Sequence, residues 1–164
     1  MKTLLILRHA KSSWDNSRLA DHDRPLNSRG KEDAPRMGRL LEREGLVPDL
    51  IISSSAERAL RTAELAAISA GYEAEIQVTR QYYHAGPEDY IEVLNEVADS
   101  HHRVMIVGHN PGMEELVEQL AGHYQKMPTA AMAQIELPIN GWGELDEETN
   151  GRLMNLWRPK ELQD

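Results

Sequence analysis

Two histidines and two arginines stand at or just beyond the ends of short apolar runs, where reactive side chains are commonly placed. Arg8 and His9 follow the first run, Arg58 comes shortly after the second, and His109 follows a later one. The two guanidiniums suit a phosphate because each presents a fixed fork of donors. A histidine beside them can take up a phosphoryl group on one ring nitrogen. The sequence therefore predicts a pocket for a tetrahedral anion, with His9 as nucleophile and His109 stabilising charge on the oxygens.

These residues can meet if the apolar runs are strands of one parallel sheet, because the ends of such strands share one edge. Continuous aliphatic runs are typical of strands buried on both faces, and ligands bind outside the carboxyl ends of parallel strands. Apolar residues at helical spacing separate the runs. We therefore expect an α/β fold, a three-layer sandwich with a mostly parallel central sheet flanked by helices. The predicted strands are residues 3–8, 49–53, 103–108, 133–137 and, at or near an edge, 141–145; the predicted helices are residues 30–43, 56–70, 87–98 and 111–120.

Two polar segments fit neither pattern, residues 11–28 and the tail from residue 147 onward. A long polar loop directly after the first strand of an α/β sheet is a common position for binding residues. The alternative for residues 11–28 is a solvated connector. For the tail the sequence indicates no role.

Composition narrows the range of functions. The chain has 164 residues, 40% of them hydrophobic, and we expect one domain spanning residues 1–164. The absence of cysteine excludes thiol nucleophiles and cysteine-ligated metals, and the net charge of −9 argues against a nucleic-acid partner. The longest apolar run near the start is far shorter than the ~20 residues that span a bilayer, so we expect no membrane contact and a cytoplasmic location. Asp21, His22 and Asp23 lack a second histidine pair at ligand spacing, and we expect no metal.

The motifs carry a resemblance to a known family. Leu5-Ile6-Leu7-Arg8-His9-Ala10 resembles the R-H-G signature of the histidine phosphatase superfamily, residues 53–63 resemble its S-x-x-x-R-A-x-x-T-A segment, and residues 107–112 resemble its G-H segment. Within that superfamily, residues 8–14, 23–30 and 108–111 look most like the small phosphohistidine phosphatases of the SixA type. The match extends to about Leu145.

The resemblance implies a phosphoglycerate mutase-like fold without a large cap domain and a reaction that needs no cofactor. It implies that His9 accepts the phosphoryl group, that Arg8 and Arg58 hold the phosphate, and that His109 completes the pocket. Three residues depart from the family pattern. Ala10 replaces the usual glycine, which suggests that the backbone there has no positive φ. Asp15 stands where the mutase branch commonly has asparagine, so mutase activity is not expected, and His84 lies near the position of a glutamate general acid.

Three hypotheses follow for the function. The leading one is a metal-independent phosphatase that hydrolyses phosphohistidine in proteins through a phosphohistidine on His9. A phosphorylated imidazole leaves readily once protonated, so this substrate makes little demand on a proton donor. The second is a small-molecule phosphomonoesterase with the same intermediate and His84, Asp21 or Asp23 as donor. The third is a phospho-residue binding module without turnover. The sequence names neither the physiological substrate nor the oligomeric state.

Overall fold

The centre of the computed structural model, which describes residues 1–162, is a six-stranded mixed sheet between two layers of helices. This is the predicted three-layer α/β architecture, and residues 1–162 form no large cap domain over the sheet. The strands are β1 (Lys2–Arg8), β2 (Leu50–Ser54), β3 (Ile76–Thr79), β4 (Arg103–Gly108), β5 (Met132–Leu137) and β6 (Arg152–Trp157). The helices are α1 (Ser28–Arg43), α2 (Glu57–Ala70), α3 (Pro87–Asn95) and α4 (Gly112–Ala121).

The strand order, β3-β2-β4-β1-β5-β6, places β1 beside β4 at the centre of the sheet. The first four strands of the chain run parallel, whereas β5 is antiparallel to β1 and β6 is antiparallel to β5. In the β1–β4 pair Arg8 lies opposite Gly108. The next residues of the two strands, His9 and His109, therefore leave the sheet side by side.

Side chains of β1 alternate between two apolar cores. Leu4 and Ile6 pack with residues of α3 and α4, whereas Leu5 and Leu7 pack with residues of α1 and α2. All four side chains are fully buried. Because successive residues of a strand point to opposite faces, an uninterrupted aliphatic run is what a strand covered on both faces requires.

Helix α2 begins directly after β2, and this short connection puts Arg58 in the first turn of the helix, at the carboxyl edge of the sheet. The helix ends at Gly71, whose φ of 77° is a left-handed conformation that glycine adopts at low cost. Helix α1 begins after Asn27, whose side chain accepts a hydrogen bond from the backbone N–H of Gly30 at 2.9 Å.

The prediction of a strand at residues 141–145 is wrong. These residues contain a short 3₁₀ turn, Trp142–Glu144, and the buried indole of Trp142 donates to the carbonyl of His101 at 2.7 Å. The edge strand is instead β6, within the polar tail that carried no prediction. An edge strand exposes most of its side chains, so β6 lacks the apolar signal of the central strands. The pattern also gave no bounds for β3, the strand at the opposite edge, which has four residues and none of them buried.

No helix within residues 1–162 is both long enough and apolar enough to cross a membrane.

Gly108 ends β4 at a position where no side chain fits. A Cβ there would overlap the hydroxyl of Tyr90, which is fully buried, and that hydroxyl accepts a hydrogen bond from the backbone N–H of His109 at 3.1 Å. The absence of a side chain at residue 108 thus lets Tyr90 hold the start of the loop that carries His109.

Replacing Gly108 with alanine should therefore force Tyr90 or the strand to move. Overpacking of a dense core typically costs about 1–3 kcal/mol, so we expect the free energy of unfolding of Gly108→Ala to fall by about that amount in urea denaturation. Gly143→Ala is the matched control, because the nearest atom to a Cβ at residue 143 is 3.8 Å away. Equal urea midpoints for both variants and the parent would contradict this packing account.

Candidate active site

His9 and His109 face one another just beyond the carboxyl ends of β1 and β4. Their ring centroids are 5.1 Å apart, and both side chains are buried. The backbone N–H of His9 donates to the carbonyl of Gly108 at 3.0 Å, which ties the two chain segments together beyond the last paired residues of the strands. The predicted convergence of strand ends is thus present in the fold.

The ring of His9 is held in one tautomer. Its Nδ1 lies 2.7 Å from the carbonyl oxygen of Ala10, and because a carbonyl only accepts, Nδ1 carries the proton and Nε2 keeps a free lone pair. Burial lowers the pKa of His9 to about 3, and the neighbouring charges of Arg8, Arg58 and Arg24 act in the same direction. The ring is therefore neutral at physiological pH, which is the nucleophilic form.

His109 has one nitrogen paired and one unpaired. Its Nε2 lies 2.8 Å from the hydroxyl of Ser54 at the end of β2, whereas Nδ1 is buried and has no hydrogen-bond partner within residues 1–162. Burial, followed by the proximity of His9 and Arg58, lowers the pKa of His109 to about 3. If the Ser54 hydroxyl donates to Nε2, then Nδ1 is the protonated nitrogen and can donate to a ligand.

Arg8 and Arg58 each have one buried nitrogen that makes no hydrogen bond within residues 1–162, the guanidinium Nε. Nη1 of Arg8 donates to the carbonyl of Met127 at 3.1 Å. Nη1 of Arg58 donates to the backbone carbonyl of Asp21 at 2.6 Å, and its Nη2 donates to the Asp21 carboxylate at 3.0 Å. A buried donor without a partner is costly. Together with Nδ1 of His109, which also lacks a partner within residues 1–162, these two donors favour binding of an anion.

These side chains line a cavity of about 680 Å³ at the carboxyl edge of the sheet. The cavity is rich in cations although the chain as a whole has a net charge of −9. Its basic residues are Arg8, Lys11, Arg24 and Arg58, and its acidic residues are Asp21 and Glu115. The predicted quartet of Arg8, His9, Arg58 and His109 is brought together here.

The loop of residues 11–28 forms one wall of this cavity and is organised by Arg24. The buried guanidinium of Arg24 donates to Asp21 at 3.1 Å and to the hydroxyl of Ser12 at 2.7 Å, and it stacks 3.5 Å above the ring of Trp14. Trp14 is 76% exposed at the cavity wall. No local pattern in the sequence predicted a role for Arg24 or Trp14, although both belong to segments that carry the family resemblance.

Asp21 is not placed as a proton donor. Its carboxylate accepts hydrogen bonds from the Tyr83 hydroxyl at 2.7 Å, from Arg58 and from Arg24. The Tyr83 hydrogen bond, with smaller effects of the two arginines, holds the pKa of Asp21 well below its usual range. An ionised carboxylate has no proton to give at neutral pH, so the geometry makes Asp21 a partner of Arg58.

The other two predicted donors differ in position. His84 lines the cavity with a φ of 57°, and its ring centroid lies 4.0 Å from that of Tyr83. Asp23 does not line the cavity: its side chain is 65% exposed and pairs with His22 at 3.4 Å. The 3₁₀ turn Asp21–Asp23 carries Asp23 to the solvent side, which the linear sequence could not reveal. Glu115, exposed on α4, lines the cavity and was not predicted.

The departures from the family pattern have simple structural explanations. Ala10 is not among the residues with positive φ, as its replacement of glycine predicted, and its backbone N–H donates to the hydroxyl of Thr62 at 3.0 Å. Asp15 is exposed and does not line the cavity.

Within residues 1–162, no group of three histidine or acidic side chains is arranged to hold a metal ion.

Known proteins resemble this chain in sequence and in fold. Residues 4–81 match the family model described as the histidine phosphatase superfamily (branch 1). An uncharacterised chloroplastic protein of Arabidopsis thaliana is 34% identical over 152 residues, which are 87% of this chain and 70% of the relative.

Two solved structures have the same fold over nearly their whole length. A protein of Agrobacterium tumefaciens named SixA has a TM-score of 0.82 and 28% identity, covering 96% of this chain and 98% of that one. A protein histidine phosphatase SixA complexed with tungstate has a TM-score of 0.83 and 21% identity, covering 98% and 99%. This chain therefore belongs to the histidine phosphatase superfamily, and its fold is that of the SixA-type branch.

Proposed function

We propose that this protein hydrolyses phosphohistidine in other proteins and that the phosphoryl group passes through His9. The observation that carries the proposal is that Arg8, Arg58 and His109 line one cavity with the neutral His9 ring, and that each has a buried nitrogen without a hydrogen-bond partner within residues 1–162. Together these residues have the charge and the donors that a phosphoryl group requires. Binding of tungstate, a tetrahedral oxyanion, to a SixA of the same fold supports an oxyanion in this cavity.

In the first step Nε2 of His9 attacks the phosphorus of the substrate. A bond forms between this nitrogen and phosphorus while the bond from phosphorus to the substrate's imidazole nitrogen breaks. The departing nitrogen keeps the electron pair and takes a proton from solvent. The Nδ1–H of His9 donates to Ala10, so the carbonyl stabilises the positive charge that develops on the ring.

Arg8, Arg58 and His109 act on the oxygens of the phosphoryl group. Because the charge on these oxygens is redistributed as the group passes between nitrogens, fixed donors around it lower the barrier. Asp21 holds two nitrogens of Arg58 in place through its backbone carbonyl and its carboxylate. Arg8 and Arg58 supply the positive charge, and the proposed reaction needs no metal. In the second step a water oxygen bonds to phosphorus while the bond from phosphorus to Nε2 breaks. The water protons leave with inorganic phosphate or pass to solvent, and the electron pair returns to Nε2, so His9 is neutral again.

The choice of a phosphohistidine substrate follows from proton supply and access. Of the predicted donors, Asp21 is held ionised and Asp23 lies outside the cavity, which leaves His84 at the cavity wall. A phosphoramidate needs less help from such a donor than an alkyl phosphate does. Residues 1–162 form no large cap over the cavity, so a side chain of another protein can enter it.

The lowered pKa of His9 gives a spectroscopic prediction. We expect the His9 ring to stay neutral, with the proton on Nδ1, from pH 8 down to about pH 4, because its pKa lies near 3. Imidazole ¹⁵N NMR with the His9→Asn variant for assignment measures this directly. Because the folded chain binds these protons less readily than the unfolded chain, His9 and His109 each lower the free energy of unfolding as the pH falls from about 6.5 towards 3. A His9 titration midpoint near 6.5 would contradict the account.

Replacing Arg58 with alanine tests the anion site. A hydrogen bond to a charged group contributes about 1.5–3 kcal/mol, so we expect Arg58→Ala to raise KM, lower kcat and weaken vanadate inhibition roughly 10- to 100-fold. Arg61→Ala is the matched control, since Arg61 lies on the same helix, is exposed and pairs with Glu64. Normal vanadate affinity in Arg58→Ala would remove Arg58 from the phosphate site.

A substrate profile tests the proposed function itself. We expect kcat/KM to be far higher for a phosphohistidine peptide than for sugar phosphates. His84→Ala should leave turnover of the phosphohistidine peptide nearly unchanged, whereas a true general acid would contribute about 10²–10⁴-fold with a poor leaving group. His123→Ala, an exposed histidine outside the cavity, is the control.

Preference for sugar phosphates, or an equal loss on both substrates in His84→Ala, would favour the small-molecule phosphomonoesterase. Failure to turn over any phosphorylated substrate would favour a binding module.

A further inference from the structure

A second cavity, of about 580 Å³, adjoins the catalytic one. Arg8, Lys11 and Thr129 line both cavities, so only these side chains stand between the catalytic pocket and the second space. The proposed chemistry makes no use of this space. We call it the basic cavity, and its basic residues are Arg8, Lys11, Arg29, Lys126, Arg158 and Lys160.

The two carboxylates of the basic cavity are already paired. Asp33 lies 3.3 Å from Arg29 and also contacts Arg36, and Glu161 lies 3.5 Å from Arg158. By contrast, the ammonium groups of Lys11, Lys126 and Lys160 make no ion pair or hydrogen bond within residues 1–162. In a chain with a net charge of −9, three unpaired lysines beside the catalytic pocket create a local positive field.

The wall of the basic cavity is held in place by contacts of the backbone. Arg36 donates to the carbonyl of Pro159 at 3.2 Å, and Nε of Arg158 donates to the carbonyl of Lys126 at 3.1 Å. These contacts fix the 3₁₀ turn Pro159–Glu161, which carries Lys160, against α1 and against the segment before β5. The polar tail thus has a structural role: it supplies cations to this cavity.

We propose that the basic cavity binds an acidic segment of the phosphorylated substrate protein, next to its phosphohistidine. This inference rests on the proposed function and specifies the substrate class. Lys11, Lys126 and Lys160 are exposed and come from three separate parts of the chain. Three separated point charges on flexible stems suit several anionic groups spread along a chain, such as the carboxylates of a peptide, better than they suit one compact anion. Attraction between exposed charges accelerates association and is screened by salt.

The test uses two phosphohistidine peptides of equal length, one with glutamates around the phosphohistidine and one with glutamines in their place. We expect K126E/K160E to lower kcat/KM for the acidic peptide by roughly tenfold and to flatten its dependence on salt. Turnover of the glutamine peptide and of p-nitrophenyl phosphate should be unchanged. The control is K31E/R43E, which makes the same change of charge at exposed positions of α1 outside both cavities.

An equal effect of K126E/K160E on both peptides, or an effect on neither, would overturn the inference. If neither peptide is hydrolysed while p-nitrophenyl phosphate is, the proposed substrate is wrong, and the cavity is then tested by inhibition with the unphosphorylated glutamate peptide. Inhibition that K126E/K160E abolishes supports an acidic segment. Inhibition by tripolyphosphate that depends on these lysines, without inhibition by the peptide, overturns it in favour of a small polyanion.

Discussion

The parallel pairing of β1 with β4 is the constraint on which the candidate site depends. Its register sets Arg8 opposite Gly108, and the backbone hydrogen bond from His9 to Gly108 continues it beyond the strands. From this single alignment it follows that two histidines 100 positions apart in the chain leave the sheet as neighbours. The missing side chain at Gly108 lets Tyr90 pack against the same point and accept a hydrogen bond from the backbone of His109. The site is therefore a property of the sheet edge, and the loops complete it.

Burial and charge act together on this edge. Desolvation keeps His9 and His109 neutral, and the Nε groups of Arg8 and Arg58 are buried without a hydrogen-bond partner within residues 1–162. The chain is acidic as a whole, yet two guanidiniums are held at this edge. Arg8 donates to a backbone carbonyl, and Arg58 donates to the carbonyl and the carboxylate of Asp21. Beyond the catalytic pocket the same positive field extends to lysines that no carboxylate neutralises within residues 1–162.

Much of the fold and the core of the site could be predicted from sequence because their signals are local. Aliphatic runs reveal central strands, and Arg8, His9, Arg58 and His109 stand at or close to the ends of such runs, so topology alone brings them together. The edge strand β6 was not predicted, because an exposed strand has the polar composition of a loop. The turn at Trp142 was predicted as a strand, because a buried tryptophan adds to an apolar pattern that is typical of strands.

The environment of the carboxylates depends on contacts between distant residues, and no local pattern encodes it. Asp21 and Asp23 look equivalent in the sequence, yet one binds Arg58 and Tyr83 and the other faces solvent. Likewise, the stacking of Arg24 on Trp14 arises only once the loop after β1 has folded back on itself.

The central claim is that the phosphoryl group passes through Nε2 of His9. The most direct test is to mix the protein rapidly with a phosphohistidine peptide, quench in alkali, which preserves phosphohistidine, and locate the phosphoryl group by tandem mass spectrometry. On the enzyme chain we expect one acid-labile phosphoryl group, on His9. The folded His9→Ala variant should show neither this group nor measurable turnover. A phosphoryl group on any other residue, or wild-type turnover by His9→Ala at saturating substrate, would contradict the central claim.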